Sequence, residues 1–184
     1  MGRPAKSGKA LRKERIFEEA LRLMDEGGEP AVTFRELANR LGVTAMAVKH
    51  HVGSRKELFQ QLIARAFEGT ADVPEELSGR AALLHTLEGY CERVIAHPVL
   101  MQSILASPDL MPEQLHSLTE QIRSYVSSLL SDESEVEIVV GLIADYTHGF
   151  ATSVATYRGG SDDTEGLRLE DYRRGLEWVL GKLS

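Results

Sequence analysis

The sequence predicts an all-α protein of about nine helices, on three observations. Apolar residues recur at helical spacing through nearly every segment of the 184-residue chain. Capping sequences and glycine or proline stops fall between those segments. No stretch reads convincingly as a strand. The composition, 42% hydrophobic and 27% charged, is that of an ordinary folded protein and argues against a disordered or fibrous one.

The first helix is expected over 12–26, RKERIFEEALRLMDE, where Ile16, Ala20 and Leu23 form a stripe flanked by Phe17 and Met24. Gly27, Gly28 and Pro30 stop it. Thr33-Phe-Arg-Glu36 reads as a capping box, in which hydroxyl and carboxylate satisfy backbone donors reciprocally. It opens a second helix that buries Leu37, Ala38 and Leu41 and ends at Gly42. Thr44 caps a third, about 45–51, with Val48 and Val52 facing inward. Ser54-Arg-Lys-Glu57 is a second capping box, starting a fourth helix through Leu58, Leu62 and Ala66 to about residue 70.

An acidic linker, ADVPEEL at 71–77, precedes a fifth helix over 80–96 with Leu83, Leu87, Tyr90 and Val94 on one stripe. His97-Pro98 breaks it, because a residue before proline is pushed out of the helical region while proline suits a first helical position. A short helix follows to Ala106, and Pro108 and Pro112 punctuate the chain before a helix over 112–130. In the next segment VEIVVGLI has the composition of a strand. The helical period running from Val136 to Val154 is too long for one, so a helix over 132–158 is expected, ended by Gly159-Gly160. The last helix, about 168–183, carries Leu169, Tyr172, Leu176, Val179, Leu180 and Leu183 on one side.

Charge is divided unevenly. Residues 1–65 carry a net +5 and residues 66–184 a net −12. A basic N-terminal third on an acidic body suggests that a polyanion is met at one end. The sole cysteine, Cys91, has no intrachain partner and is expected to be a small buried side chain in a reducing, cytoplasmic setting. The basic N-terminus is not followed by a signal-like apolar segment, and no apolar run approaches the roughly 20 residues of a membrane span, so no membrane association is expected.

The second and third helices, joined by a short turn containing Gly42, have the spacing of a helix-turn-helix. Leu37, Ala38, Leu41, Val43 and Val48 lock the pair, so the short helix stands outward, where it fits a DNA major groove about 12 Å wide. Thr44, Ala45, Met46 and Ala47 would approach base edges, with Lys49, His50 and His51 reaching the groove walls. Helix N-termini at Thr33 and at Ser54, beside Arg55 and Lys56, suit phosphates. Arg3, Lys6, Lys9, Arg12, Lys13 and Arg15 suit backbone or minor-groove contact. A metal reading of His50-His51 fails on geometry, since adjacent helical residues diverge by about 100 degrees. Asp145 and His148, at i, i+3, are spaced to bind a metal or a polar ligand, and a satisfied core or pocket rim is the reading that competes with it. No GxSxG, P-loop, Rossmann glycine or HExxH pattern occurs, so the chain is expected to be neither an enzyme nor a cofactor binder.

Residues 12–66, in the order from Arg15 through TFRELANRLGVTAMAVKHHVGSRKELFQQL, resemble the DNA-binding domain of the TetR family of bacterial transcriptional regulators. HGFATSVATYRG and EDYRRGLEWVLGKL resemble, more weakly, the final helices of its tetracycline-repressor-like branch. The resemblance implies a homodimer that binds a palindromic double-stranded DNA operator and represses until a small-molecule effector occupies the C-terminal body. It implies a phosphate contact for Thr33, a guanine-reading position for Arg35, and DNA-facing positions for Met46, His50 and His51. Lys49 departs from the pattern, which has tyrosine there; lysine keeps a phosphate contact and removes ring packing.

The domain division expected on this basis is a flexible basic arm at 1–11, a helix-turn-helix domain at 12–53, a connecting helix at 54–70 and a ligand-binding and dimerisation body at 71–184. Tyr90, Met101, Tyr125, Tyr146, His148 and Phe150 are the candidates for lining a ligand pocket. Gly141, Ala144, Ala151, Ser153 and Ala155, with the last helix, are the candidates for a dimer interface. The competing reading is a DNA-bound assembly factor whose body binds a protein and senses no metabolite; a cavity-free body would favour it.

Overall fold

The structure, a computed structural model, describes residues 11–158 and 167–182. Among these it contains nine α-helices, two 3-10 turns and no strand. The helices are α1 (Lys13–Ala31), α2 (Phe34–Leu41), α3 (Ala45–Val52), α4 (Arg55–Ala66), α5 (Gly79–Ala96), α6 (Pro98–Ala106), α7 (Glu113–Leu129), α8 (Val136–Arg158) and α9 (Leu169–Leu180). Arg3, Lys6, Lys9, Gly159, Gly160 and Leu183 lie outside the described residues.

Most residues of the predicted stripes are buried, while Leu41, Tyr90, Leu169 and Val179 are partly so. Ile16, Phe17, Ala20, Leu23 and Met24 of α1 pack with Leu37, Val48, Leu58 and Leu62 of the next three helices. In the body α5 is the central helix, packed against α6, α7, α8 and α9. One continuous core joins the two regions, because α1 also packs on α6, and α4 packs on α7 and on the 3-10 turn Pro108–Leu110. Cys91 is fully buried on α5, where desolvation pushes its thiol up to about 12.

Several boundaries differ from expectation for physical reasons. The stop near Gly28 is a break inside α1: Gly28 takes φ 68, ψ −169, which a Cβ disfavours, and Pro30 follows it. Helix α4 ends at Ala66 rather than near 70, because Phe67 leaves helical geometry and the Thr70 hydroxyl donates to the Phe67 carbonyl at 2.7 Å. The capping box at Thr33 is only half made. Thr33 Oγ1 accepts from the Glu36 N–H at 3.1 Å, but the Glu36 carboxylate turns to Arg40 and the Thr33 N–H donates to the Ala31 carbonyl. The box at Ser54 is complete.

No unbroken apolar run reaches membrane length, as expected, yet one helix, α8, is apolar enough on average to cross a membrane by length and composition alone. Within Glu133–Thr156, 24 residues long, an 18-residue window reaches a mean hydropathy of 1.3, and 33% of that window is buried. The apolar residues are spread around the helix rather than run together. Val139, Ile143, Phe150 and Val154 face the core, while Ile138 and Leu142 are 70% and 52% exposed.

Candidate nucleic-acid interface and body cavity

The outward unit is built from α2, the turn and α3. Gly42 ends α2 in the left-handed region (φ 68, ψ 34), its N–H turned back to the end of α2 and the Val43 N–H donating to the Ala38 carbonyl at 3.0 Å. That closes the turn within two residues and aims α3 across α2. Thr44 Oγ1 then accepts from the Ala47 N–H at 3.1 Å, starting α3. Gly53, at φ 78, ends it, and a Cβ there would lie 2.5 Å from Glu57 Oε2. Gly53 is held to glycine by that space and φ, Gly42 takes the left-handed cap position that glycine favours, and Val48 and Val52 hold α3 down by its buried side.

The opposite side of α3 is open. Thr33, Arg35, Thr44, Ala45, Lys49 and His50 are exposed, Met46 is 73% exposed, and His51 is half-buried. Among the described residues, no hydrogen bond or ion pair engages the side chains of Arg35, Lys49, His50 or His51. The two imidazoles meet edge-on with centroids 5.9 Å apart. Among the described residues no group of three His, Cys, Asp or Glu side chains is placed to hold a metal ion, at Asp145 and His148 included.

The two candidate phosphate-binding helix ends are not equivalent. At α4 the Glu57 carboxylate accepts from the Ser54 N–H at 2.7 Å, and these Ser54 hydrogen bonds hold the carboxyl below its ordinary range. The helix thus supplies its own anion. At α2 the Glu36 carboxylate faces away toward Arg40, leaving the first-turn donors without a competing charge. Arg55 and Lys56 also have intramolecular partners. Arg55 donates to Glu29 Oε1 at 2.8 Å and to the Glu29 carbonyl at 3.0 Å, and lies 4.6 Å over the Phe59 ring. Lys56 pairs with Asp109 at 3.0 Å. Sequence reading missed these pairs because the partners lie 26 and 53 positions away in the chain.

In the body, a cavity of about 310 Å³ is walled by α5, α6, α7 and α8. Of the six predicted lining residues, Tyr90, Met101 and His148 are present; Leu87, Ile104, Ile122, Val140 and Ile143 supply much of the rest. Tyr125, Tyr146 and Phe150 lie elsewhere, which corrects those three expectations. Tyr125 accepts from Gln121 on its own helix. Tyr146 stacks on Tyr172 at 5.4 Å, and Phe150 packs on the same ring at 5.3 Å, so both belong to the contact between α8 and α9. The Tyr90 hydroxyl meets His148 Nε2 at 2.8 Å and Met101 Sδ at 3.4 Å. Burial pushes the Tyr90 hydroxyl up and holds His148 below the usual histidine value, despite the opposing pull of Asp145. The imidazole is thus kept neutral at the cavity wall.

Residues 16–62 match the family model described as bacterial regulatory proteins, tetR family. No curated protein sequence matches the chain. Among solved structures, BioQ from Mycobacterium smegmatis superposes with a TM-score of 0.74 at 18% identity, over 94% of this chain and 97% of that one. The transcriptional regulator SCO7222, a TetR from Streptomyces coelicolor, gives 0.69 at 22% identity, over 94% and 97%. BioQ bound to its double-stranded DNA operator gives 0.68 at 20% identity, over 94% and 98%. At these identities the likeness shows a shared fold over 94% of this chain.

Proposed function

We propose, for a chain that belongs to the tetR family of bacterial regulatory proteins through residues 16–62, a cytoplasmic homodimeric repressor released from a palindromic operator by a small molecule. It is a DNA-binding transcriptional regulator of helix-turn-helix type. The observation that carries the DNA assignment is the exposed side of α3, where Met46, Lys49 and His50 stand clear of a buried anchor formed by Val48 and Val52. Thr33 at the open end of α2 takes a phosphate, Arg35 reads a guanine edge, and Thr44, Ala45 and Met46 meet bases and thymine methyl groups. Lys49, His50 and His51 line the groove wall. Arg55 and Lys56 contribute positive potential at a second phosphate, while their ion pairs brace α4 against α1 and the Pro108–Leu110 turn.

The dimer is assigned to α8 and α9. Ile138, Gly141 and Leu142 form an exposed stripe on α8, and Trp178 of α9 is 68% exposed. Of the small residues expected at the interface, Ala151 is buried within the chain and takes the intrachain role. A second copy suits this face better than lipid, because exposed Asp145 lies along it and a carboxylate in hydrocarbon costs about 2.5–3.5 kcal/mol. The body cavity supports effector sensing and counts against the assembly-factor reading, which favours a body without one. The domain division at 12–53, 54–70 and 71–184 is retained as a division of roles across one continuous core.

Selection of bound duplexes from a random pool, followed by footprinting, tests the function. The expected result is a palindrome with half-sites centred about 34–36 Å apart, one turn of duplex, or a multiple of it. Recovery of unrelated sequences with equal affinity would refute it.

A further inference from the structure

We propose that the body cavity takes an uncharged, mainly apolar molecule carrying one hydrogen-bonding group, such as a hydroxyl or carbonyl, and that Tyr90 and His148 read that group. The proposal rests on the effector-binding reading above and specifies the ligand's chemistry. Among the described residues, no Asp, Glu, Lys or Arg lines the cavity. A carboxylate, phosphate or ammonium would therefore lose its hydration without meeting a counter-charge, which strongly opposes entry. The apolar walls, Leu87, Ile122, Val140 and Ile143 among them, instead reward burial of hydrocarbon. At about 310 Å³ the space is at the small end of the range of roughly 300–1,000 Å³ typical of ligand sites.

The polar side chains on the wall are four, and two of them are already used. The Thr119 hydroxyl donates to the Leu115 carbonyl at 2.9 Å. The Thr147 hydroxyl is bonded both to the Ile143 carbonyl and to the Tyr172 hydroxyl, each at 2.7 Å. Tyr90 and His148 are different. The Tyr90 hydroxyl has one proton and two neighbours, a ring nitrogen that donates or accepts according to its tautomer and a thioether, a weak acceptor, so the pair retains hydrogen-bonding capacity. Their position also orients the ligand. His148 and Met101 form part of the wall shared with a neighbouring, smaller cavity of about 240 Å³ that includes Gln102, Thr152 and Thr156. The ligand's polar end points toward this wall, and its apolar end toward Ile122 and Val140.

Titration calorimetry of the full chain without DNA at pH 8, using biphenyl, 4-phenylphenol and 4-phenylbenzoate as probes of one shape, tests the proposal. The expected order is 4-phenylphenol tightest, biphenyl weaker, and 4-phenylbenzoate at least about tenfold weaker than the phenol. His148→Leu and Tyr90→Phe should each bring the phenol toward the affinity of biphenyl while leaving biphenyl binding within about twofold. A carboxylate that binds as well as the phenol, no saturable binding by any probe, or a variant that weakens phenol and biphenyl equally while its melting curve stays native would overturn the proposal. Because DNA is absent, a protein that binds these probes yet selects no operator would contradict the regulator reading and leave the ligand chemistry standing.

Discussion

Gly175 on α9 shows how one residue fixes a helix contact. A Cβ there would sit 2.0 Å from the Tyr146 hydroxyl, and Tyr146 is held by its stack on Tyr172, so it cannot swing away freely. Gly175→Ala should destabilise by about 1–3 kcal/mol, as overpacking does. Chemical denaturation of the single variant and of its combination with Tyr146→Ala checks this, since the clash predicts strong non-additivity. Thr86 offers the opposite case. Its hydroxyl is the buried side-chain polar atom without a partner among the described residues, so Thr86→Val, which keeps the shape and removes the orphaned group, should stabilise by about 1–2 kcal/mol. A loss of stability on that substitution would show that the hydroxyl has a partner. Lys49 is exposed on α3, and its replacement by alanine should weaken all DNA sequences alike and lower the salt slope by about one unit.

At the scale of the elements, what the sequence reveals depends on range. Helical stripes and the Ser54–Glu57 box are legible because their causes lie within four residues. The Thr33 box is only half made because Glu36 has Arg40 one turn further on as an alternative partner, and Arg40 in turn is held by Glu26 of α1. The same limit explains the pocket. Tyr146 and Phe150 are on the same helix as His148, but which neighbour each meets depends on how α8 is rotated between α5 and α9, and no local pattern fixes that. The 3-10 turn Pro108–Leu110 was foreshadowed only by its proline, and its contacts to Lys56 and Gln60 of α4 are long-range. Element junctions also predict a pH response. Desolvation lowers the folded-state values of His97, between α5 and α6, and of His148, so the unfolded chain binds more protons below the ordinary histidine value of about 6.5. Their contribution to stability is present above that value and is lost as pH falls through it toward the lowered folded values. Melting temperature should therefore drop between pH 7.5 and 5, with a shallower drop in His148→Gln; a rise on acidification would contradict the burial of neutral rings.

For the whole molecule, charge and exposed apolar surface divide the work. The basic N-terminal third carries α3, and the acidic body carries the cavity and the uncovered faces of α8 and α9. One core runs through both, so occupancy of the cavity is in mechanical contact with α1 and α4 through α6 and the Pro108–Leu110 turn. On the proposed function, an effector would release DNA only by binding better to a dimer whose two α3 helices no longer match successive grooves. Ile138→Asp with Trp178→Asp should yield a monomer by light scattering. It should also lose tight operator binding, because each monomer would then hold a single half-site. If α2 and α3 read sequence through their exposed side chains, Arg35 is the residue at which that reading shows. Affinities of the native chain and of Arg35→Ala would be measured at one salt concentration on the selected palindrome and on a scrambled duplex. The expected result is a loss of about 1–3 kcal/mol on the palindrome with little change on the scrambled duplex, and an equal loss on both would refute the base contact.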